Sequence, residues 1–181
     1  MWRKLLLMNK KKLLLKILVP VLIAIALIAI WIFKTYPTST TIDEDTGKTE
    51  DFVLEASSVN LEELKEYKLP IIIDFGSDSC IPCRQMAPVL ETMNEEMQGK
   101  AIIKFVDVWK YQDAANDFPV QVIPTQVIFD SEGKPYTPSE NITIELTMYS
   151  SKDTGEHVFT VHQGGLTEDQ MREILKDMGV E

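Results

Sequence analysis

The hydrophobic pattern divides this chain into two regimes. From Ile17 to Phe33 it runs ILVPVLIAIALIAIWIF, seventeen residues without a charge, while beyond residue 50 short apolar runs alternate with amphipathic stretches. In that second part, Asp51–Glu55 reads as a short edge strand. Asn60-Leu61-Glu62-Glu63 has the Asn-x-x-Glu form of a capping box and opens a short helix to about Tyr67. Leu69–Gly76 is a β-branched run, as expected of a strand buried on both faces. A helical pattern follows at once, from Cys80 to Gln98, closed by Gly99 and interrupted by Pro88, which removes one hydrogen bond and predicts a kink. Ala101–Val108 is a second buried strand, Tyr111–Asp117 a short helix, and Pro124–Asp130 a third strand ending in the turn Ser131-Glu132-Gly133. His157–Gln163 alternates like a final strand. Thr167–Gln170 is another capping box, starting a helix with Met171, Ile174, Leu175 and Met178 on one face. Strands alternating with helices predict an α/β sandwich, its central sheet partly parallel and ending in an antiparallel hairpin.

The first regime reads as a membrane anchor. With Leu13–Leu15 and a snorkelling Lys16, the apolar stretch approaches the ~20 residues needed to cross a bilayer core. Trp2 and Trp31 suit the two interfaces. The competing reading is a cleavable signal peptide, whose apolar region is about 7–15 residues long. No small-x-small cleavage site follows this longer run, and Ala24-Ile25-Ala26 lies in its middle. Six basic residues precede the span and only Lys34 follows. An excess of positive charge stays inside, so the expected arrangement is single-pass at the cell membrane, with a cytoplasmic N-terminus and an extracytoplasmic domain. Residues 1–34 are thus the basic segment and transmembrane helix. Residues 35–50, TYPTSTTIDEDTGKTE, are a flexible linker, and residues 51–181 are the folded domain.

Charge sharpens that division. The chain carries 18 Lys and Arg against 28 Asp and Glu, but seven of the basic residues lie in the first 34, where there is no acid. Removing those seven leaves eleven basic against 28 acidic residues from Thr35 onward, a formal −17. Nucleic-acid binding needs basic surface to displace counterions from phosphates, so that function class is excluded.

The chain's two cysteines, Cys80 and Cys83, stand three positions apart. A disulfide across so short a loop constrains the unfolded chain very little, so the pair is placed for reactivity more than for stability. A helix starting at Cys80 directs free N–H groups and the positive end of its dipole at that sulfur, which lowers the thiol pKa from ~8.5 toward ~7. Cys80 is therefore the expected nucleophile, and Cys83, one turn inward and less exposed, the resolving partner. Pro82 suits the first helical turn, where its missing N–H costs nothing. Asp78 opposes the thiolate slightly and Arg84 favours it.

Ile73-Asp74-Phe75, Cys80-Ile81-Pro82-Cys83, Pro88, Ile123-Pro124-Thr125 and Gly164 stand in an order and spacing that resembles the thioredoxin family, over roughly residues 52–180. The resemblance implies a thioredoxin-like fold and thiol–disulfide exchange, with no cofactor beyond the redox-active disulfide Cys80–Cys83. It assigns Asp74 as a buried acid taking the proton of Cys83 through water. It also implies a cis Pro124 beside the disulfide, although cis accounts for only about 5–6% of X–Pro bonds generally. The backbone of Ile123 and Pro124 would pair with a client chain, next to Ile81 and Pro82. The alternative reading of Asp74 is a strand-end residue with a satisfied side chain.

The chain departs from the family where Ser79 replaces the usual Trp before the first cysteine and Ile81 replaces a common Gly. Phe105 stands where many relatives place a lysine partner for the buried acid, and Lys104, by strand alternation, faces the other way. Residues 135–156 are an insertion, with Asn141–Tyr149 alternating as NITIELTMY and a turn at Asp153-Thr154-Gly155, read as an extra hairpin near the active face. It is either a specificity element or inert decoration. His157 and His162 lie too far from the cysteines for zinc-finger spacing, so no metal is expected. Trp109 and Tyr111 are read as packing residues.

The functional expectation is an anchored thiol–disulfide oxidoreductase reducing disulfides of extracytoplasmic client proteins, supplied with electrons by a membrane thiol carrier. Oxidase or isomerase chemistry on the same fold is the alternative. A redox-inert, membrane-tethered adaptor is the reading from a different class.

Overall fold

The computed structural model describes residues 50–181. The expected anchor at 1–34 and the linker before residue 50 lie outside the described residues. Among the described residues, no helix is long and apolar enough to cross a membrane.

A five-stranded mixed sheet contains β1 (Ile71–Gly76), β2 (Ile102–Asp107) and β3 (Thr125–Phe129). Two more, β4 (Thr147–Ser150) and β5 (His157–Gln163), complete it in the order β2-β1-β3-β5-β4. β1 runs parallel to β2 and antiparallel to β3, and β5 is antiparallel to both its neighbours. The parallel pair requires a crossover, which helix α2 (Ile81–Glu96) supplies after the short α1 (Leu61–Lys65). Helix α3 (Glu168–Asp177) closes the chain, its capping box formed as expected by Thr167 and Gln170.

The unbroken Ile71–Gly76 run is buried at every position because β1 has strands on both edges and layers on both faces. Ile72 and Ile128 pack with Met86, Leu90 and Met93 of α2 and with Met171, Ile174 and Leu175 of α3. Ile71, Ile73 and Phe75 pack on the other side with Leu64, Val127 and Phe129. Burying each such side chain contributes about 1.5–3 kcal/mol against leaving it in water.

Local differences from the sequence pattern have physical causes. The expected strand at Asp51–Glu55 is instead a 3-10 turn at Glu50–Phe52 followed by a single bridge between Glu55 and Phe105. Its backbone pairs with β2 only through Phe105, whose N–H donates to the Leu54 carbonyl and whose carbonyl accepts from Ala56. α2 stops at Glu96, ahead of the expected Gln98, while the Gln98 side chain donates back to the Asn94 carbonyl and to Phe52. Tyr111–Asp117 yields only a 3-10 turn, Gln112–Ala115.

Of the alternating stretch Asn141–Tyr149 only the end is strand, within β4 (Thr147–Ser150), and the expected hairpin closes through the turn around Asp153-Thr154-Gly155 onto β5. β4 pairs with β5 and extends the sheet at its edge. The upstream part is held by packing: Ile144 is buried in the core shared with α2 and α3, with Ile142 and Leu146 against it. Asp177 of α3 accepts from the Tyr136 hydroxyl at 2.6 Å and from the Ser139 N–H at 3.0 Å. Thr160 of β5 donates to the Tyr136 carbonyl at 2.6 Å. These bonds tie residues 136–139 to the helix and to the sheet.

Candidate active site

Cys80 is the N-cap of α2, in extended conformation, and is bonded to Cys83 in a disulfide with a Cα–Cα distance of 5.3 Å. The cap geometry places the Cys83 N–H 3.4 Å from Cys80 Sγ, so the sulfur takes the role that a Ser or Asp oxygen fills at other helix starts. Cys83 is buried, whereas Cys80 is partly exposed and the following Ile81 is 62% exposed. Pro82 sits in the first turn, where no helix bond is lost.

The Ile123–Pro124 peptide is cis, and the Ile123 carbonyl oxygen lies 3.9 Å from Cys80 Sγ. Pro124 is buried, and its carbonyl accepts from Gly164 N–H at 2.9 Å. Thr125 Oγ1 donates to the Val122 carbonyl at 2.7 Å, closing the loop that leads into β3.

Asp74 lies beneath the disulfide on the α2 face of the sheet. It is 0% exposed, and burial pushes its carboxyl up to about 7 against a smaller opposing effect of a hydrogen bond from Gln126. Gln126 stands directly opposite Asp74 across β1 and β3, and its Nε2 donates to Asp74 Oδ1 at 2.5 Å and to Met86 Sδ at 3.4 Å. Asp74 Oδ2 and Gln126 Oε1 are buried without a partner among the described residues. Gly76 leaves the space between acid and disulfide: a Cβ there would sit 2.9 Å from Phe105 Cε2, 3.1 Å from Asp74 Oδ2 and 3.3 Å from Cys83 Cβ. Oδ2 and Cys83 Cβ are thus no farther apart than the sum of the last two distances. Phe105 is the β2 neighbour of Asp74, while Lys104 pairs with Ile73 and donates to the Val53 carbonyl at 2.8 Å.

Asp107, at the end of β2, organises the loop before Cys80. One carboxylate oxygen accepts from Asp78 N–H at 3.0 Å, the other from Trp109 N–H at 2.9 Å and Lys110 N–H at 3.1 Å. Burial alone would raise this acid; the three N–H groups and the Lys110 ammonium outweigh it and hold the carboxyl below its usual range. Lys110 also pairs with Asp78, spanning the two loops. Trp109 and Tyr111, expected to pack, are instead 59% and 45% exposed, because their loop caps the strand end instead of covering a core face.

Sequence reasoning missed Gln126 and Asp107. The signal for Gln126 was a lone polar residue on the inward face of the apolar strand TQVIF, in register with Asp74. Asp107 had no comparable signal, since an acid at a strand end is ordinary. The histidines are placed apart. His162 Nδ1 donates to the Glu145 carbonyl at 2.8 Å, and His157 Nε2 lies 2.7 Å from Thr160 Oγ1. Among the described residues no group of three His, Cys, Asp or Glu is positioned to hold a metal ion.

Compared with known proteins, the chain is 34% identical over 74 residues to thioredoxin Y, chloroplastic, of Oryza sativa subsp. japonica, covering 41% of this chain and 44% of that one. It is 38% identical over 66 residues to thioredoxin 1 of Chlorobaculum tepidum, covering 36% and 65%. The match thus spans about half to two thirds of these relatives' length. Among solved structures, chloroplastic thioredoxin z gives a TM-score of 0.49 at 23% identity, covering 70% of this chain and 94% of that one. Fasciola hepatica thioredoxin gives 0.46 at 23% identity, covering 68% and 97%. The thioredoxin family model matches residues 52–148, more than half of the chain, and the protein belongs to the thioredoxin family.

Proposed function

We propose that this chain is a thiol–disulfide oxidoreductase that reduces disulfides of client proteins outside the cytoplasm. The observation that carries the reading is the partly exposed Cys80 at a helix N-terminus, bonded to buried Cys83 and bordered by the Ile123–Pro124 loop. A sulfur so placed is stabilised as thiolate by the helix N–H groups and dipole.

In the reducing direction, the Cys80 thiolate attacks one sulfur of a client disulfide. The client's other sulfur leaves as thiolate, and a mixed disulfide forms. Cys83 then gives its proton to Asp74, through water, and attacks Cys80 Sγ. The remaining client sulfur leaves as thiolate, and the Cys80–Cys83 disulfide closes with two electrons passed to the client. Because the Pro124 carbonyl is engaged by Gly164, the Ile123 peptide groups are the ones a client strand would pair with, next to exposed Ile81 and Pro82. The electrons come back from a membrane thiol carrier.

Placement outside the cytoplasm is supported by the charge pattern, six basic residues before the apolar run and one after it. Residues 1–34 then act as an uncleaved anchor in the lipid bilayer. The reducing direction is supported by Pro82 before the second cysteine and by the buried acid.

The test pairs activity with trapping. The full chain should reduce insulin with dithiothreitol, and Cys83→Ser should accumulate client proteins as mixed disulfides at Cys80, which Cys80→Ser should not. Absence of both activity and trapped clients sinks the reading. A reduction potential near the strong oxidants would instead reverse the direction, since ~30 mV is about 1.4 kcal/mol for this two-electron couple.

A further inference from the structure

Among the described residues the buried acid in this site has no charged partner, and what it meets instead is an amide. Around Asp74, β2 presents Phe105, β3 presents Gln126, and α2 presents Cys83 and Met86. Of that set only Cys83, once the disulfide is reduced, carries an exchangeable acidic proton. Lys104 points to the opposite face, and Asp107, farther along β2, is engaged by the Asp78, Trp109 and Lys110 N–H groups. The hydrogen bond that Asp74 makes within this surround comes from Gln126 Nε2, at 2.5 Å.

A lysine offers a carboxyl only donors. An amide is different because it carries a donor end and an acceptor end. Nε2 serves the ionised carboxylate. Once Asp74 has taken a proton, the same side chain turned over about its last bond offers Oε1, which is buried without a partner among the described residues, as acceptor. Either way one carboxyl oxygen is tied to β3. The other, Oδ2, stays turned toward the gap that Gly76 leaves beside Cys83. We propose that Gln126 is the positioning residue of the resolving step: it holds Asp74 in both protonation states and keeps Oδ2 aimed at Cys83. This rests on Asp74 being the proton acceptor for Cys83, and it adds the group that makes that acid usable without a lysine.

The experiment follows the second phase of reaction with 5,5′-dithiobis(2-nitrobenzoate). The reduced full chain, in detergent, releases one nitrothiolate when Cys80 attacks and a second when Cys83 resolves the mixed disulfide. Gln126→Met keeps the length of the side chain and removes its donor. A carboxylate that loses a hydrogen bond to its charged form ionises at higher pH, here by about one pH unit. The pH midpoint of the second phase should rise by that amount, slowing it about fivefold at pH 7, with the Cys80 phase unchanged. In the unsubstituted chain, the Gln126 side-chain amide protons should shift in NMR spectra with the same midpoint as the Asp74 carboxyl carbon, a readout that needs no variant to fold. Asp74→Asn separates the two ideas. If it leaves the pH limb of the second phase in place, the proton role of Asp74 is wrong. If it removes the limb, while Gln126→Met leaves the midpoint unmoved or the amide protons ignore the titration, only the role of Gln126 is overturned.

Discussion

Asp74 should cost the folded domain stability at neutral and alkaline pH, and Asp74→Asn should relieve it. In the fold this carboxyl titrates at about 7, raised from 3.8 by burial that a single Gln126 hydrogen bond offsets only in part. Below pH 3.8 the group is neutral in both folded and unfolded chains and contributes no pH dependence. Between 3.8 and 7 the unfolded chain has lost the proton and the folded one keeps it, so stability falls as pH rises. Above 7 the loss is complete and constant. Each pH unit in that window is about 1.4 kcal/mol, so the full window amounts to about 4 kcal/mol and the part above pH 5 to about 3 kcal/mol. That is a large share of a domain stability of about 5–15 kcal/mol.

The assay is urea unfolding of the oxidised full chain, in which the cysteines do not titrate, for wild type and Asp74→Asn at pH 5 and pH 8. Taking the difference between the two proteins cancels every other titrating group. The variant should gain about 3 kcal/mol on wild type between the two pH values, a relative shift in midpoint of about 1–3 M urea. Asn brings its own amide into the pocket, and that offset is the same at both pH values. A stability difference that does not change with pH would refute the reasoning and return Asp74 to the status of an ordinary satisfied strand residue.

Two further expectations concern the frame of the site. Gly76→Ala would place a methyl 2.9 Å from Phe105 Cε2 and 3.1 Å from Asp74 Oδ2, so the ring must move. Denaturant unfolding should show a loss of about 1–3 kcal/mol. Asp107→Ala removes the acceptor for the Asp78, Trp109 and Lys110 N–H groups. It should cost about 1–3 kcal/mol and speed hydrogen exchange of the amides at 78, 109 and 110 relative to the rest of the sheet; unchanged exchange there would show that the loops hold themselves.

Much of the frame was legible in order along the chain. Local signals were enough for the buried strand at Ile71–Gly76, the helix that starts at Cys80 and the capping box at Thr167, because periodicity and caps are properties of neighbouring residues. The cysteine pair, the acid six residues before it and Ile123-Pro124 were visible in the same way, as spacing. What remained hidden depends on which strands meet. Phe105 and Gln126 become the two neighbours of Asp74 only through the parallel β1–β2 and antiparallel β1–β3 registers, which no local pattern specifies. The extra hairpin was legible from alternation and the turn signal at Asp153-Thr154-Gly155, but not that its first strand is only Thr147–Ser150, because Ile144 upstream is drawn into the core. Trp109 and Tyr111 looked like core residues, since aromatic character does not reveal that Asp107 holds their loop outward at the strand end. Sequence alone thus determined the chemistry, two sulfurs and a nearby acid. Tertiary structure decided the environment of that acid, because burial and hydrogen-bond partners come from residues that are distant along the chain and adjacent only in the folded sheet.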